Sequence, residues 1–212
     1  MVPALMTYAE IAAQLVDQFA PYCERIAIAG SIRRGKPDPH DIELVCVPKL
    51  AMREIPGQVM LGGSPPTETF SVLDFELGKM KAHGELKDRK GSDGKGAWGP
   101  RFKRALYVHE GRQVPLDLFS VISPAQWGVI FAIRTGPADF SHLLVTSRLQ
   151  GGAMPSTMAV SGGQLRHGGV VVQTPEESDF FAAMGLPCWE PEDRDVYRLR
   201  AWLAKQKAEA RA

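Results

Sequence analysis

Apolar residues recur at helical spacing near the start of the chain: Ile11, Ala12, Leu15, Val16 and Phe19 share one face behind Thr7 and Glu10. A hydroxyl residue with a glutamate three positions on is a capping box, so a helix is predicted to begin after Thr7 and to end before Pro21. The period then shortens. Arg25 to Ala29 suits a short strand that breaks at Gly30-Ser31, and Asp41 to Val47 predicts a second strand after a basic, proline-containing turn. The prolines and glycines of 48–68 predict a connection, and 69–82 is expected to hold another strand. Ala105 to Val108 and Val114 to Val121 flank Glu110-Gly111 in the pattern of a hairpin.

After Pro124 the pattern changes. A helix is predicted from Pro124 to Ile133, a turn at Thr135-Gly136-Pro137 and a second helix from Phe140 to Leu149. Thr174 is the expected cap of a further helix, with Pro175 at its first position, Glu177 completing a capping box and Gly185 as the stop. From Asp195 to Ala212 the apolar Leu199, Trp202 and Leu203 stand among many charges, as in a solvated helix with one buried edge. A boundary near residue 123 is expected between a strand-rich half, 1–123, and a mixed, more helical half, 124–212.

Composition adds limits. A chain of 212 residues, 44% of them hydrophobic, buries a real core as one domain or as two small ones in contact. The net charge of +1 gives no global field toward a polyanion, but from Lys79 to Arg104 nine Lys or Arg stand against three Asp or Glu, a local balance of +6. Cys23, Cys46 and Cys188 are odd in number and have no C-x-x-C spacing, which points to neither a disulfide framework nor a zinc site. Apolar runs such as Trp127 to Ile133 are too short to span a bilayer, and the N-terminus has no signal-like pattern. A cytoplasmic protein is expected.

Candidate chemistry gathers in three places. Asp41 and Glu43 stand at i and i+2 with Ile42 and Leu44 between and after them, so in a strand both carboxylates leave one face. Asp117, between Leu116 and Leu118, repeats the arrangement on what would be an adjacent strand. Three converging carboxylates suit hard divalent cations, and paired ions roughly 3.5 to 4 Å apart serve phosphoryl transfer. A lone D-x-E is more often a solvated sheet face. What adds weight is Gly30-Ser31 upstream, followed by Arg33, Arg34 and Gly35: a close backbone approach, a hydroxyl donor and guanidinium forks, all of which suit phosphate. The turn Gly91 to Gly96 fails as a Walker loop, since Gly96 stands where Ser or Thr is required. Of the tryptophans, Trp98 in the basic loop is the best candidate to stack on a base.

The run Gly30-Ser31-Ile32-Arg33-Arg34-Gly35, five residues, then Asp41-Ile42-Glu43 resembles the signature of family X DNA polymerases. Val114 to Leu118, Thr135-Gly136, Gly185-Leu186-Pro187 and Glu190 to Arg194 resemble later segments of that family more loosely. The resemblance implies an α+β fold, with a nucleotidyltransferase palm over 1–123 whose mixed β-sheet is backed by helices, and a small α+β thumb-like subdomain over 124–212. It implies that Asp41, Glu43 and Asp117 bind two magnesium or manganese ions, with Asp117 near the primer 3′ hydroxyl. Ser31 and Arg34 would hold a nucleoside triphosphate with help from the backbone at Gly30 and His40, and Thr135-Gly136 would lie beside the nucleotide. Lys95, Arg101, Lys103 and Arg104 would face the phosphates of a DNA primer or primer-template, or of RNA, and the chain would work as a monomer.

The chain departs from the family where Glu43 replaces an aspartate, Pro115 a basic residue and Phe119 an arginine, and where Ile133-Arg134 replaces an aromatic pair. In the family the first position ligates metal, which a glutamate still can, and the others serve primer and sugar contacts. The chain starts almost at the palm's first helix, so the lyase and DNA-gripping domains of many relatives are not expected, nor is DNA repair by the usual two-activity route. Two other readings follow: a nucleotidyltransferase with an RNA or protein acceptor, and a nucleic-acid-binding relative whose catalysis has lapsed.

Overall fold

The computed structural model describes residues 5–55, 65–91, 94–122 and 124–209. Part of the expected 48–68 connection, Ser92 and Asp93 of the glycine-rich turn, residue 123 and the last three residues of the chain lie outside this set. The first helix, α1 (Tyr8–Phe19), carries the capping box expected of it: the Glu10 N–H donates to Thr7 Oγ1 at 3.3 Å and the Thr7 N–H to Glu10 Oε2 at 2.7 Å. It is followed by β1 (Cys23–Ile28), the single turn α2 (Gly30–Arg33), β2 (Ile42–Pro48), β3 (Leu50–Glu54), β4 (Thr67–Ser71), α3 (Val72–Ala82) and β5 (Leu86–Asp88). The hairpin β6 (Phe102–His109) and β7 (Arg112–Ser120) completes the strand-rich half.

The main sheet has the order β1-β2-β7-β6-β5, with β2 and β7 parallel and every other pair antiparallel. Its two faces are filled by alternate residues of the same strands. Ile42, Leu44 and Cys46 of β2 and Val114, Leu116 and Leu118 of β7 meet the apolar faces of α1 and α3. Val45 and Val47 of β2, with Phe119, turn the other way onto Trp127 and Phe131. Those two aromatics come from α4 (Trp127–Thr135), so a helix from beyond residue 124 closes the second face of the sheet.

The remaining elements are α5 (Ala138–Val145), a three-stranded meander of β8 (Met158–Ser161), β9 (Gln164–His167) and β10 (Val170–Val172), α6 (Glu177–Ala183) and α7 (Val196–Glu209). They enclose a second core, in which Val129 and Ala132 of α4 meet Phe140, Leu144, Leu165, Phe180, Phe181 and Leu199. The molecule is α+β, with a mixed sheet and helices, as expected. Helix α4 belongs to both cores, one face to each, which is what couples the two halves mechanically.

Several local expectations are corrected. Residues 69–82 are mostly helix rather than strand: Ser71 caps α3 by accepting from the Asp74 N–H at 3.1 Å, and Leu73, Leu77 and Met80 fall on one buried stripe at helical spacing. The segment read as pure connection contains β3, paired with β4 as a separate two-stranded ribbon. The last helix before the C-terminal region begins at Glu177 and is capped by Glu176 with Asp179, not by Thr174. Thr174 is buried, and its carbonyl accepts from the Gly128 N–H at 2.8 Å, so it serves the packing of α4 instead.

Candidate active site

The site begins where β1 ends. Ala29 is extended, its N–H donating to the Glu43 carbonyl at 2.8 Å, and Gly30 then turns into the left-handed region at φ +63° to start α2. Only glycine takes that conformation without strain, and a Cβ there would also strike the Glu43 carboxylate. The turn therefore brings the Ser31 hydroxyl and the Arg34 guanidinium beside the start of β2. Ser31 Oγ and Arg34 Nε are both buried and have no hydrogen-bond partner in the protein. Unpaired buried donors are costly and rare, so two in one cleft need an explanation from outside the chain. The cleft, about 560 Å³, is lined by Ser31, Arg34, Lys36, His40, Asp41 and Glu43, together with Pro37 and Asp38.

The carboxylates are set by register. Asp41 lies just before β2 rather than within it, while Glu43 is the parallel-pair partner of Asp117 on β7, and Asp117 in turn faces Arg104 on β6. Burial raises the Asp41 carboxyl above its ordinary range and the charge of Asp117 raises it further, against the pull of Arg89 and Arg104. Glu43 is pushed up to about 7, first by burial and then by the charges of Asp41 and Asp117, with Arg134 and Arg34 opposing. Acids that hold their protons because they are buried and face one another are relieved by a cation, and an all-oxygen donor set suits magnesium or manganese. Among the described residues no three His, Cys, Asp or Glu side chains are gathered as a ready-made metal cage. Asp117 is instead engaged by Arg104, Nε to Oδ1 at 3.0 Å and Nη2 to Oδ2 at 2.9 Å, with Arg89 Nη1 3.4 Å from Oδ1. The chemistry of the three acids fits a divalent ion; Asp117 is at present paired with arginine.

A second set of arginines ties this cleft to the C-terminal half. Arg33 Nη1 donates to Thr135 Oγ1 at 2.6 Å, and its guanidinium forms a two-point bridge to Glu177 at 2.8 and 2.7 Å. Arg194 completes the triad by donating to Glu177 Oε1 at 2.6 Å. Burial on its own would raise the Glu177 carboxyl, but hydrogen bonds from Arg33 and Arg194 bring it below the ordinary range. Arg34 Nη1 donates to the Thr135 carbonyl at 2.5 Å. Thr135 is therefore buried and tied to Arg33 and Arg34, its carbonyl adjoining the cleft through Arg34, and Gly136 caps α4 next to it. Sequence reasoning missed Glu177, taken there for a helix cap, and gave Arg33 no partner, because the two are far apart in sequence. It also missed Arg134, which lies 3.9 Å over the Phe119 ring and carries its charge toward Glu43 and Asp117. The only signal for Arg134 was its place beside Thr135-Gly136.

No family model and no curated protein sequence matches the chain. No helix among the described residues is long and apolar enough to cross a membrane.

The basic segment divides in two. Lys95 and Arg101 lie at the surface before β6. Lys103 is buried, with its ammonium 2.8 Å from Asp74 and donating to the Gly99 carbonyl at 2.9 Å, so it does not face an outside phosphate. Strand alternation explains this: Lys103 points to the α3 side of β6 and Arg104 to the carboxylate side. Arg104, partly exposed, is the partner of Asp117. Trp98 is exposed and has the Lys81 ammonium 4.5 Å from its ring.

Proposed function

We propose that this chain is a metal-dependent nucleotidyltransferase of the family X polymerase kind, acting on a nucleoside triphosphate and a hydroxyl acceptor, with the 3′ end of a DNA primer as the first candidate. The observation that carries the reading is the cleft in which two buried, unpartnered donors, Ser31 Oγ and Arg34 Nε, adjoin Asp41 and Glu43. Donors without acceptors suit an anion, and acids with raised affinity for protons suit a cation. A nucleoside triphosphate with its counter-ions is one ligand class that satisfies both.

In this reading Ser31 donates its hydroxyl hydrogen to a phosphate oxygen, and Arg34, held by the Thr135 carbonyl, presents the rest of its fork to the same group. Asp41, Glu43 and Asp117 would hold two magnesium or manganese ions, whose chemistry when bound is charge neutralisation at the transferred phosphoryl group and acidification of the attacking hydroxyl. The acceptor oxygen forms the new bond to the α-phosphorus, the bond to the leaving pyrophosphate breaks, and the hydroxyl proton passes to solvent water. Arg33, by fixing Thr135 and Glu177, holds the Gly30 to Arg34 turn in place while this happens. Positioning of this kind supplies much of the barrier lowering in phosphoryl transfer.

The test is incubation with labelled deoxy- and ribonucleoside triphosphates, magnesium or manganese, and gapped, recessed and single-stranded primers, beside an Asp41→Ala control. Label on a primer that vanishes in the control is the expected result. Absence of label on primers, RNA and protein acceptors alike would overturn the reading.

A further inference from the structure

Most arginines around the candidate site are held by an oxygen of the chain: Arg33 by Thr135 and Glu177, Arg34 by the Thr135 carbonyl, Arg89 and Arg104 by Asp117, and Arg194 by Glu177. Arg134 is not. Among the described residues its guanidinium has no hydrogen-bond or ion-pair partner, and it lies over the ring of Phe119 at 3.9 Å. Phe119 is 6% exposed and stacks on Phe102 at 4.7 Å, so the platform is fixed, while Arg134 itself is exposed. The ring attracts the charge of the guanidinium and uses none of its N–H donors, which leaves the fork available to an anion.

The place of Arg134 in the sheet decides which anion. The order of strands is β1-β2-β7-β6, and Ser31 and Arg34 follow β1, whereas Phe119, under Arg134, lies on β7 two residues beyond Asp117. The acids near each arginine keep the same order: Glu43 and Asp41 for Arg34, Glu43 and Asp117 for Arg134. The acids thus lie between a donor set at β1 and a second guanidinium at β7. In the proposed reaction the outer phosphates rest on Ser31 and Arg34, so pyrophosphate leaves toward β1. An attacking oxygen roughly in line with the leaving one reaches the α-phosphorus from the opposite side, the side on which Arg134 stands. A protein hydroxyl brings no charge to that side, whereas the 3′ end of a strand brings the phosphate of its last linkage.

We infer that Arg134 grips the acceptor by an anion next to its hydroxyl, so that the acceptor is the 3′ end of a nucleic-acid strand, held at the phosphate of its last linkage. This rests on the reading of the Ser31 and Arg34 cleft as the triphosphate site given above. Arg134 stands where the resembled family has an aromatic residue, so the contact belongs to this chain.

The experiment measures two affinities of the full chain, Arg134→Gln and Arg34→Gln, with circular dichroism to check folding. One is for a labelled nucleoside triphosphate with Mn2+, by equilibrium dialysis. The other is for a short 5′-labelled DNA strand, by fluorescence anisotropy with Mn2+ and a triphosphate whose α–β bridge is a non-hydrolysable methylene. The strand is used unaltered and with its last linkage made an uncharged methylphosphonate. Arg134→Gln is expected to leave triphosphate binding unchanged and to weaken strand binding about tenfold, the scale of one charge-assisted hydrogen bond. The uncharged linkage should weaken it about as much, and the two together no more than either alone. Losses that multiply overturn the inference, as does weaker triphosphate binding in Arg134→Gln with strand binding unchanged. In both cases a triphosphate lost in Arg34→Gln leaves the proposed function standing. If the triphosphate binds and no strand does, the inference falls and a protein acceptor takes its place. If neither binds, both readings fall. Should Arg134→Gln fail to fold, the linkage decides on the unaltered chain, where equal affinity for the two strands overturns the inference.

Discussion

Gly30 and Glu43 share one small space: a side-chain carbon on Gly30 would land on Glu43 Oε2, and the Gly30 backbone is left-handed at φ +63°. Gly30→Ala therefore carries two penalties. The backbone alone costs about 1 to 2 kcal/mol in the left-handed region, and the collision adds to it by displacing an acid of the site. Urea unfolding should report the stability loss, and Mn2+ and nucleotide binding should be lost with it. Gly35→Ala, at φ +66° with open space around the added carbon, should show the backbone penalty alone.

Glu43 makes stability depend on pH in a defined direction. Its folded carboxyl titrates at about 7 against an ordinary value of 4.5, so the folded chain holds this proton more tightly than the unfolded chain does. The stabilisation is complete below the ordinary value and is lost as pH rises through 7, a change on the order of 3 kcal/mol if no cation compensates. Glu43→Gln should remove that slope, being more stable than the parent at pH 8 by urea unfolding and losing the advantage at pH 4. Binding of Mn2+ to the parent should strengthen over the same interval, since it needs the ionised carboxylate.

Glu177 is the acid shared by Arg33 and Arg194, and it is buried. Glu177→Ala leaves two guanidinium groups without their counter-charge and is expected to cost about 3 to 5 kcal/mol by chemical denaturation. A milder change, Arg25→Ala, removes the bridge to Glu176, whose partners are both well exposed, and is expected to cost less than about 1 kcal/mol through that bridge. The Arg25 guanidinium also covers the Trp127 ring at 4.0 Å, so any excess loss measures that stacking.

The two classes of basic residue should separate under a nucleic-acid probe. With single-stranded DNA, Arg101→Ala is expected to weaken binding and to reduce the salt slope by about 1, as for loss of one phosphate contact. Lys103→Met should leave the salt slope unchanged and lower stability, because its charge is spent on Asp74 and the Gly99 carbonyl. A salt slope that falls in Lys103→Met would show that this lysine does reach the ligand.

By itself the sequence determined what is local. The capping box of α1, the hairpin turn at Glu110-Gly111 and the glycine turn ahead of Asp41 each follow from residues a few positions apart, whose hydrogen bonds and allowed φ angles are set by neighbours in the chain. Even locally, α3 was hidden because 69–82 mixes a short strand with a helix of weak amphipathic pattern, and the Ser71 cap lies at their junction. The tertiary structure decided which charges meet. Arg33 reaches Glu177 across 144 residues and Asp117 pairs with Arg104 across a hairpin, and no periodicity marks either choice. Charged side chains carry no fold signal of their own: their partners are set by sheet register and by how α4 packs between the two cores, and only after those are fixed does a carboxylate have a neighbour.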